Sequence, residues 1–141
     1  MSDPLPRAPI TLLVFSASLR AGSLNTQLAE LAAVTVEANG GEVDRGSMRE
    51  FDAPSFDQGV LDRDGFPAGA QEFRSRLERC DAFVIAAPEY NASMPGLLKN
   101  AVDWVSRDRP QPFAVGVDPS AEMLERHPQR PHTAVRTDHR R

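Results

Sequence analysis

Two short, continuous apolar runs predict an α/β fold in which helices wrap a parallel sheet. Each run is followed by a polar loop and then by apolar residues at helical spacing. Runs of this form are expected of strands buried on both faces. A helix between successive strands requires parallel crossover connections rather than hairpins.

Ile10-Thr-Leu-Leu-Val-Phe15 is the first such run. Beyond a polar loop, Leu24, Leu28, Leu31, Ala32, Thr35 and Val36 recur at helical spacing and mark an apolar face. Asn39-Gly40-Gly41 ends that helix with residues that tolerate a left-handed cap. Glu42 to Gly46 reads as a weak second strand. Met48 to Pro67 is rich in Asp, Gly and Pro and predicts a long surface loop. Gln71 to Arg79 carries Phe73 and Leu77 four apart, the second helix. Ala82-Phe-Val-Ile-Ala86 repeats the buried-strand pattern. Pro95 and Gly96 open a third helix, with Leu98, Val102 and Val105 inward. In a doubly wound sheet of this kind with order 2-1-3, strands one and three are neighbours, and ligands bind in the crevice beyond their ends.

Proline placement sets the boundaries. Of 12 prolines, three fall in residues 1–9 and five from Pro110 onward. Residues 1–9 are expected to be a disordered leader, 10–113 the folded domain, and 114–141 a polar tail. All three histidines lie in that tail, at irregular spacing that favours a solvated segment over a metal site. The net charge of −4, with no basic cluster in the body, argues against nucleic-acid binding. No apolar run approaches the ~20 residues of a membrane span. A single cysteine, Cys80, excludes a disulfide framework and points to the cytoplasm. Cys80 itself reads as a small apolar filler.

Two loops carry the chemistry. Ser16-Ala-Ser18-Leu-Arg20-Ala-Gly22-Ser23-Leu-Asn25 joins a buried strand to a helix start. Hydroxyls, a cation and free helix amides are the donors a phosphate needs. The loop is neither a Walker A nor a dinucleotide glycine motif. Capping by Ser23 or Asn25 explains one of its polar residues, but not Ser18, Arg20, Ser23 and Asn25 together. The second loop, Ala87-Pro88-Glu89-Tyr90-Asn91-Ala92-Ser93-Met94-Pro95-Gly96, follows the third strand. Tyr90 offers a ring to a planar ligand, and Asn91 and the loop amides offer polar contacts to its rim.

The stretch Pro88-Glu-Tyr-Asn-Ala-Ser-Met-Pro-Gly-Leu-Leu-Lys-Asn-Ala-Val-Asp-Trp104 resembles the hallmark segment of the NADPH-dependent FMN reductase family. Ser18-Leu-Arg20-x-x-Ser23-x-Asn25 resembles that family's phosphate loop. The resemblance covers roughly residues 10–113. It implies a flavodoxin-like fold and a reductase that passes electrons from NADPH or NADH through bound FMN to quinone-like or other small acceptors. By it, Ser18, Arg20, Ser23 and Asn25 would hold the FMN phosphate. Pro88, Glu89, Tyr90 and Asn91 would line the isoalloxazine and ribityl chain, with Ser93 nearby. No catalytic side chain and no metal are implied. The family forms homodimers or homotetramers, and the helix bearing Lys99, Asn100, Asp103 and Trp104 contributes to that interface. Two other readings stand beside it: an FMN-binding electron carrier without nicotinamide activity, and an inactive fragment.

The family's sheet has five strands, of which three are recognisable here. The expectation is therefore an incomplete flavodoxin-like sheet, truncated or frame-shifted near Ala114. Strand three then becomes an open edge exposed to pairing with other chains.

Overall fold

A computed structural model describes residues 8–109, 112 and 113. Seven elements follow in order: β1 (Thr11–Ser16), α1 (Leu24–Ala38), β2 (Glu42–Arg45), α2 (Gln58–Asp64), α3 (Ala68–Arg79), β3 (Ala82–Ala86) and α4 (Gly96–Val105). The three strands form one parallel sheet in the order β2-β1-β3. Leu12 to Ser16 lie opposite Ala82 to Ala86 in register, so β1 and β3 end side by side. β1 is central, which explains its continuous apolar run. The α/β class and the strand order follow the sequence expectation.

The two faces of the sheet are packed differently. On one, Leu13, Phe15, Met48, Phe51, Phe73, Leu77, Leu98, Ala101 and Val105 form the main core beneath α3 and α4. Phe15 meets Phe51 and Phe73 edge-on at centroid distances of 5.1 and 5.7 Å, and Phe51 stacks on Phe73 at 4.7 Å. On the other, Val14 and Ala86 meet Ala29 and Ala33 of α1.

Two sequence expectations need correcting. Residues 48–67 are not a surface loop throughout, because Met48 and Phe51 are fully buried and Gln58–Asp64 is helical. Asp57 caps that helix, its carboxylate accepting from the Gly59 and Val60 amides. The segment lies so close to α3 that a Cβ on Gly69 would sit 1.8 Å from the Asp52 carbonyl oxygen. Only glycine fits there. The second correction concerns α1. Its buried residues are Ala29 and Ala33, while Leu24, Leu28 and Leu31 are exposed. Small residues let the helix backbone approach the sheet, and the leucines lie on the solvent side of the helix.

Ion pairs fix the rim. Arg45 on β2 holds both Glu30 and Glu37 of α1. Arg76 joins Asp44, Glu50 and Glu72. Hydrogen bonds from Arg45 hold the Glu30 and Glu37 carboxyls below their ordinary value. Burial pushes the Cys80 thiol up, in keeping with an apolar filler.

The expected boundaries of the leader and the polar tail, with its three histidines, fall outside the described residues. Among the described residues no helix is long and apolar enough to cross a membrane, and no cluster of His, Cys, Asp or Glu could hold a metal ion.

Candidate functional site

Both polar loops leave the same end of the sheet from neighbouring strands. The Ala17 amide donates to the Ala86 carbonyl at 2.9 Å, tying the two exits together. This is the crevice that the strand order creates.

The first loop is built from short local hydrogen bonds. Ser16 Oγ accepts from the Ser18 amide at 3.2 Å, and Ser18 Oγ accepts from the Arg20 amide at 3.3 Å. Gly22, at φ +66°, makes the left-handed turn that delivers the chain to α1. Ser23 is the N-cap, and its Oγ accepts from the Asn25 amide at 3.1 Å. Ser23 thus serves as a cap, and an accepting hydroxyl still has its proton to donate. The first turn of α1 has no acidic side chain, so its positive end is uncompensated by the helix itself. The Arg20 side chain is exposed and has no partner among the described residues. Arg49 supports the loop from outside, donating to the Leu19 carbonyl at 3.2 Å. It lies in the stretch that composition marks as a loop, so no sequence signal singles it out.

The second loop is a tight turn. Tyr90 and Ser93 exchange backbone hydrogen bonds of 2.9 and 3.1 Å around Asn91 and Ala92. Both central residues have positive φ, 51° and 59°, the conformation of a two-residue hairpin turn. Asn tolerates this region, whereas Ala adopts it only under strain. Glu89, Tyr90, Asn91 and Ser93 are exposed, and Pro88 is half-buried. Pro95 then opens α4 without a side-chain cap, leaving that helix's first amides without a capping acceptor.

A cleft of about 180 Å³ lies beside the first loop, lined by Leu19, Met48, Arg49, Asp52 and Leu97, and includes no residue of the 88–93 turn. A second, of about 330 Å³, opens on the β2 side of β1 and reaches Ser18 and Thr26 but no residue of the 88–93 turn. The structure therefore brings Ser18, Ser23 and Asn25 to one helix start and Tyr90, Asn91 and Ser93 to the adjacent strand mouth. The two sets border the shelf beyond the paired ends of β1 and β3, and neither cleft is lined by both.

The helix after the second loop has an internal task. The Asn100 side chain accepts from the Phe56 amide at 2.8 Å and donates to the Ala53 and Pro54 carbonyls, both at 3.0 Å. Trp104 donates to the Pro54 carbonyl at 2.7 Å and is fully buried. Lys99 pairs with Asp103 along the exposed face.

A family model described as NADPH-dependent FMN reductase matches residues 10–132. The chain belongs to that family. The match runs beyond Phe113, where the resemblance of the motifs stops. The quinone reductase of Escherichia coli K12 is 38% identical over 109 residues, 74% of this chain and 53% of the relative. The NAD(P)H-dependent FMN reductase of Pseudomonas aeruginosa is 37% identical over 105 residues, 74% of this chain and 55% of the relative. Among solved structures, the flavoenzyme NAD(P)H:(acceptor) oxidoreductase from Paracoccus denitrificans superposes with a TM-score of 0.55 at 31% identity. That superposition covers 72% of this chain and 53% of the relative. The Bacillus anthracis azoreductase, at 18% identity and a TM-score of 0.54, shares the fold. The chain spans about half the length of the curated relatives it matches.

Proposed function

We propose that this chain binds FMN on the shelf between its two polar loops and passes electrons from NADPH or NADH to a quinone-like acceptor. The observation that carries the reading is the phosphate-type donor set at the start of α1. There the exposed Arg20 guanidinium has no partner among the described residues, beside the Ser18 and Ser23 hydroxyls and an acid-free first helical turn. Ser18, Arg20, Ser23 and Asn25 would hold the phosphate. Pro88, Glu89, Tyr90, Asn91 and Ser93 would border the isoalloxazine and ribityl chain, where exposed Tyr90 has a ring face to offer.

FMN would supply the hydride and electron chemistry when bound. The chain's own residues bind and orient. Arg20 and the hydroxyls fix the anionic end, and the stiff 90–93 turn fixes the other. No side chain is assigned a proton-transfer role. Family membership and the names of the relatives support the same reading, and the motif resemblance implies a homodimer or homotetramer. The lone, buried Cys80 supports a cytoplasmic site of action.

The test is to titrate the purified full chain with FMN and with riboflavin by equilibrium dialysis, then add NADPH to the loaded protein. Arg20→Ala should weaken FMN binding about 10- to 100-fold, the loss of one charge-assisted contact, and leave riboflavin binding unchanged. NADPH should bleach the bound flavin. Flavin that stays yellow would identify a carrier without nicotinamide activity. Equal loss of both ligands would sink the phosphate assignment.

A further inference from the structure

The cleft of about 330 Å³ on the β2 side of β1 has no part in the flavin reading, except that Ser18 borders it. Its volume lies at the small end of ligand sites, roughly 300–1,000 Å³. Val14 and Ser16 alternate onto one face of β1 and line the cleft together, so it is about 7 Å deep, enough for one ring. Ala29 and Ala33 of α1 give it an apolar wall, and their short side chains leave the slot its width.

The polar side of the slot is rich in hydroxyl donors. Ser16, Ser18 and Ser47 each accept a backbone amide, from Ser18, Arg20 and Arg49 in turn, and each keeps its proton to donate. Thr26 adds a fourth hydroxyl. Across from them stands Glu30, bound by Arg45 through one N–H on each carboxylate oxygen. Each oxygen has a further lone pair for a ligand hydroxyl. Arg45 is also taken by Glu37, so two carboxylates share one guanidinium and a negative charge is left over. Such a wall accepts from a sugar hydroxyl and repels a phosphate. The phosphate donors lie next door, at the start of α1. In a doubly wound sheet the end of the second strand is where the adenosine ribose of a dinucleotide lies, while its phosphates sit on the first helix.

We propose that this slot is a subsite for adenosine with a free ribose 2′-hydroxyl. It would receive the adenosine end of a dinucleotide whose phosphate is held at the start of α1. The proposal rests on the phosphate donors of the first loop, which belong to the flavin reading. FAD and NADH both carry this moiety, and the test separates them.

Equilibrium dialysis of the full chain should show 5′-AMP binding about 10-fold or more tightly than adenosine 2′,5′-bisphosphate. Thr26→Phe places a ring in the slot from an exposed helix position. It should weaken 5′-AMP about 10-fold or more and leave FMN binding and helix content unchanged. Glu30→Gln with Glu37→Gln frees Arg45 and should turn the preference toward the bisphosphate. FAD that binds more tightly than FMN to wild type, but not to Thr26→Phe, would make the flavin dinucleotide the source. Equal flavin affinities, with NADH displacing 5′-AMP, would make it the nicotinamide donor. Binding of 5′-AMP that Thr26→Phe leaves untouched would put the nucleotide on the phosphate loop alone and overturn the proposal. So would a wild-type preference for the bisphosphate, or no binding of 5′-AMP. FMN that fails to bind while 5′-AMP still responds to Thr26→Phe would sink the flavin shelf and uphold the slot.

Discussion

The two faces of this sheet use opposite means to bury the same strand. Beneath α3 and α4, Phe15, Phe51, Phe73 and Trp104 fill space with large rings. Under α1, alanines bring a single helix into close contact and leave its leucines outside. One face is thick and shared among several elements. Among the described residues the other is thin and rests on one helix, clamped at its β2 side by ion pairs. Volume decides the first face, and approach distance decides the second.

The largest expected effect follows from the thick face. Phe73→Ala removes the ring that contacts both Phe15 and Phe51, and should cost about 3–5 kcal/mol in a denaturant melt. A loss under about 1 kcal/mol would mean that the aromatic cluster repacks and that the contrast between faces is weaker than its geometry suggests.

How much of this was legible in the sequence depended on whether a residue's neighbours lay on its own element. β1 announces itself as a continuous apolar run because it is central and covered on both faces, and β3 carries the same pattern although Ala82 and Phe83 are exposed among the described residues. The helical crossovers imply parallel strands, and the order β2-β1-β3 is that of the doubly wound topology. Met48 and Phe51 did not stand out, since the Asp, Gly and Pro around them dominate the local composition. Their burial depends on α3 arriving at Gly69. The spacing of the α1 leucines reports a helix face, not which face the sheet will choose. Of the candidate site, the donor types and the two loops could be read directly. The left-handed pair Asn91-Ala92 could not, since neither residue is the glycine such a turn usually demands.

A middle-sized effect tests the link between α4 and the 53–56 strip. Asn100→Ala should cost about 1–3 kcal/mol, because it leaves the Phe56 amide and the Ala53 carbonyl without their partner. Amide exchange should quicken at Phe56 before it does at Leu13. Uniform quickening would show instead that the strip and the thick core open as one unit.

The smallest effect belongs to the thin face. The Glu30 and Glu37 carboxyls are depressed chiefly by hydrogen bonds from Arg45. The stability they contribute is therefore present above their unfolded value near 4.5 and is lost as pH falls through the folded value. All three side chains are solvent-exposed, so the loss is small. Thermal melts of wild type and Arg45→Met should differ slightly at neutral pH and converge as pH falls through the lowered values of the two carboxyls. A constant difference across that range would show that Arg45 acts through packing of its stem rather than through its charge.

Trp104 gives the molecule a built-in reporter. It is the sole tryptophan of the chain, fully enclosed, with its indole N–H on the Pro54 carbonyl and the rings of Phe56 and Phe66 at its edges. Ultraviolet emission excited at the indole band therefore originates at one joint, where α4 meets the 53–56 strip. A red shift would time the moment water reaches that joint, independently of what the strands or α1 are doing.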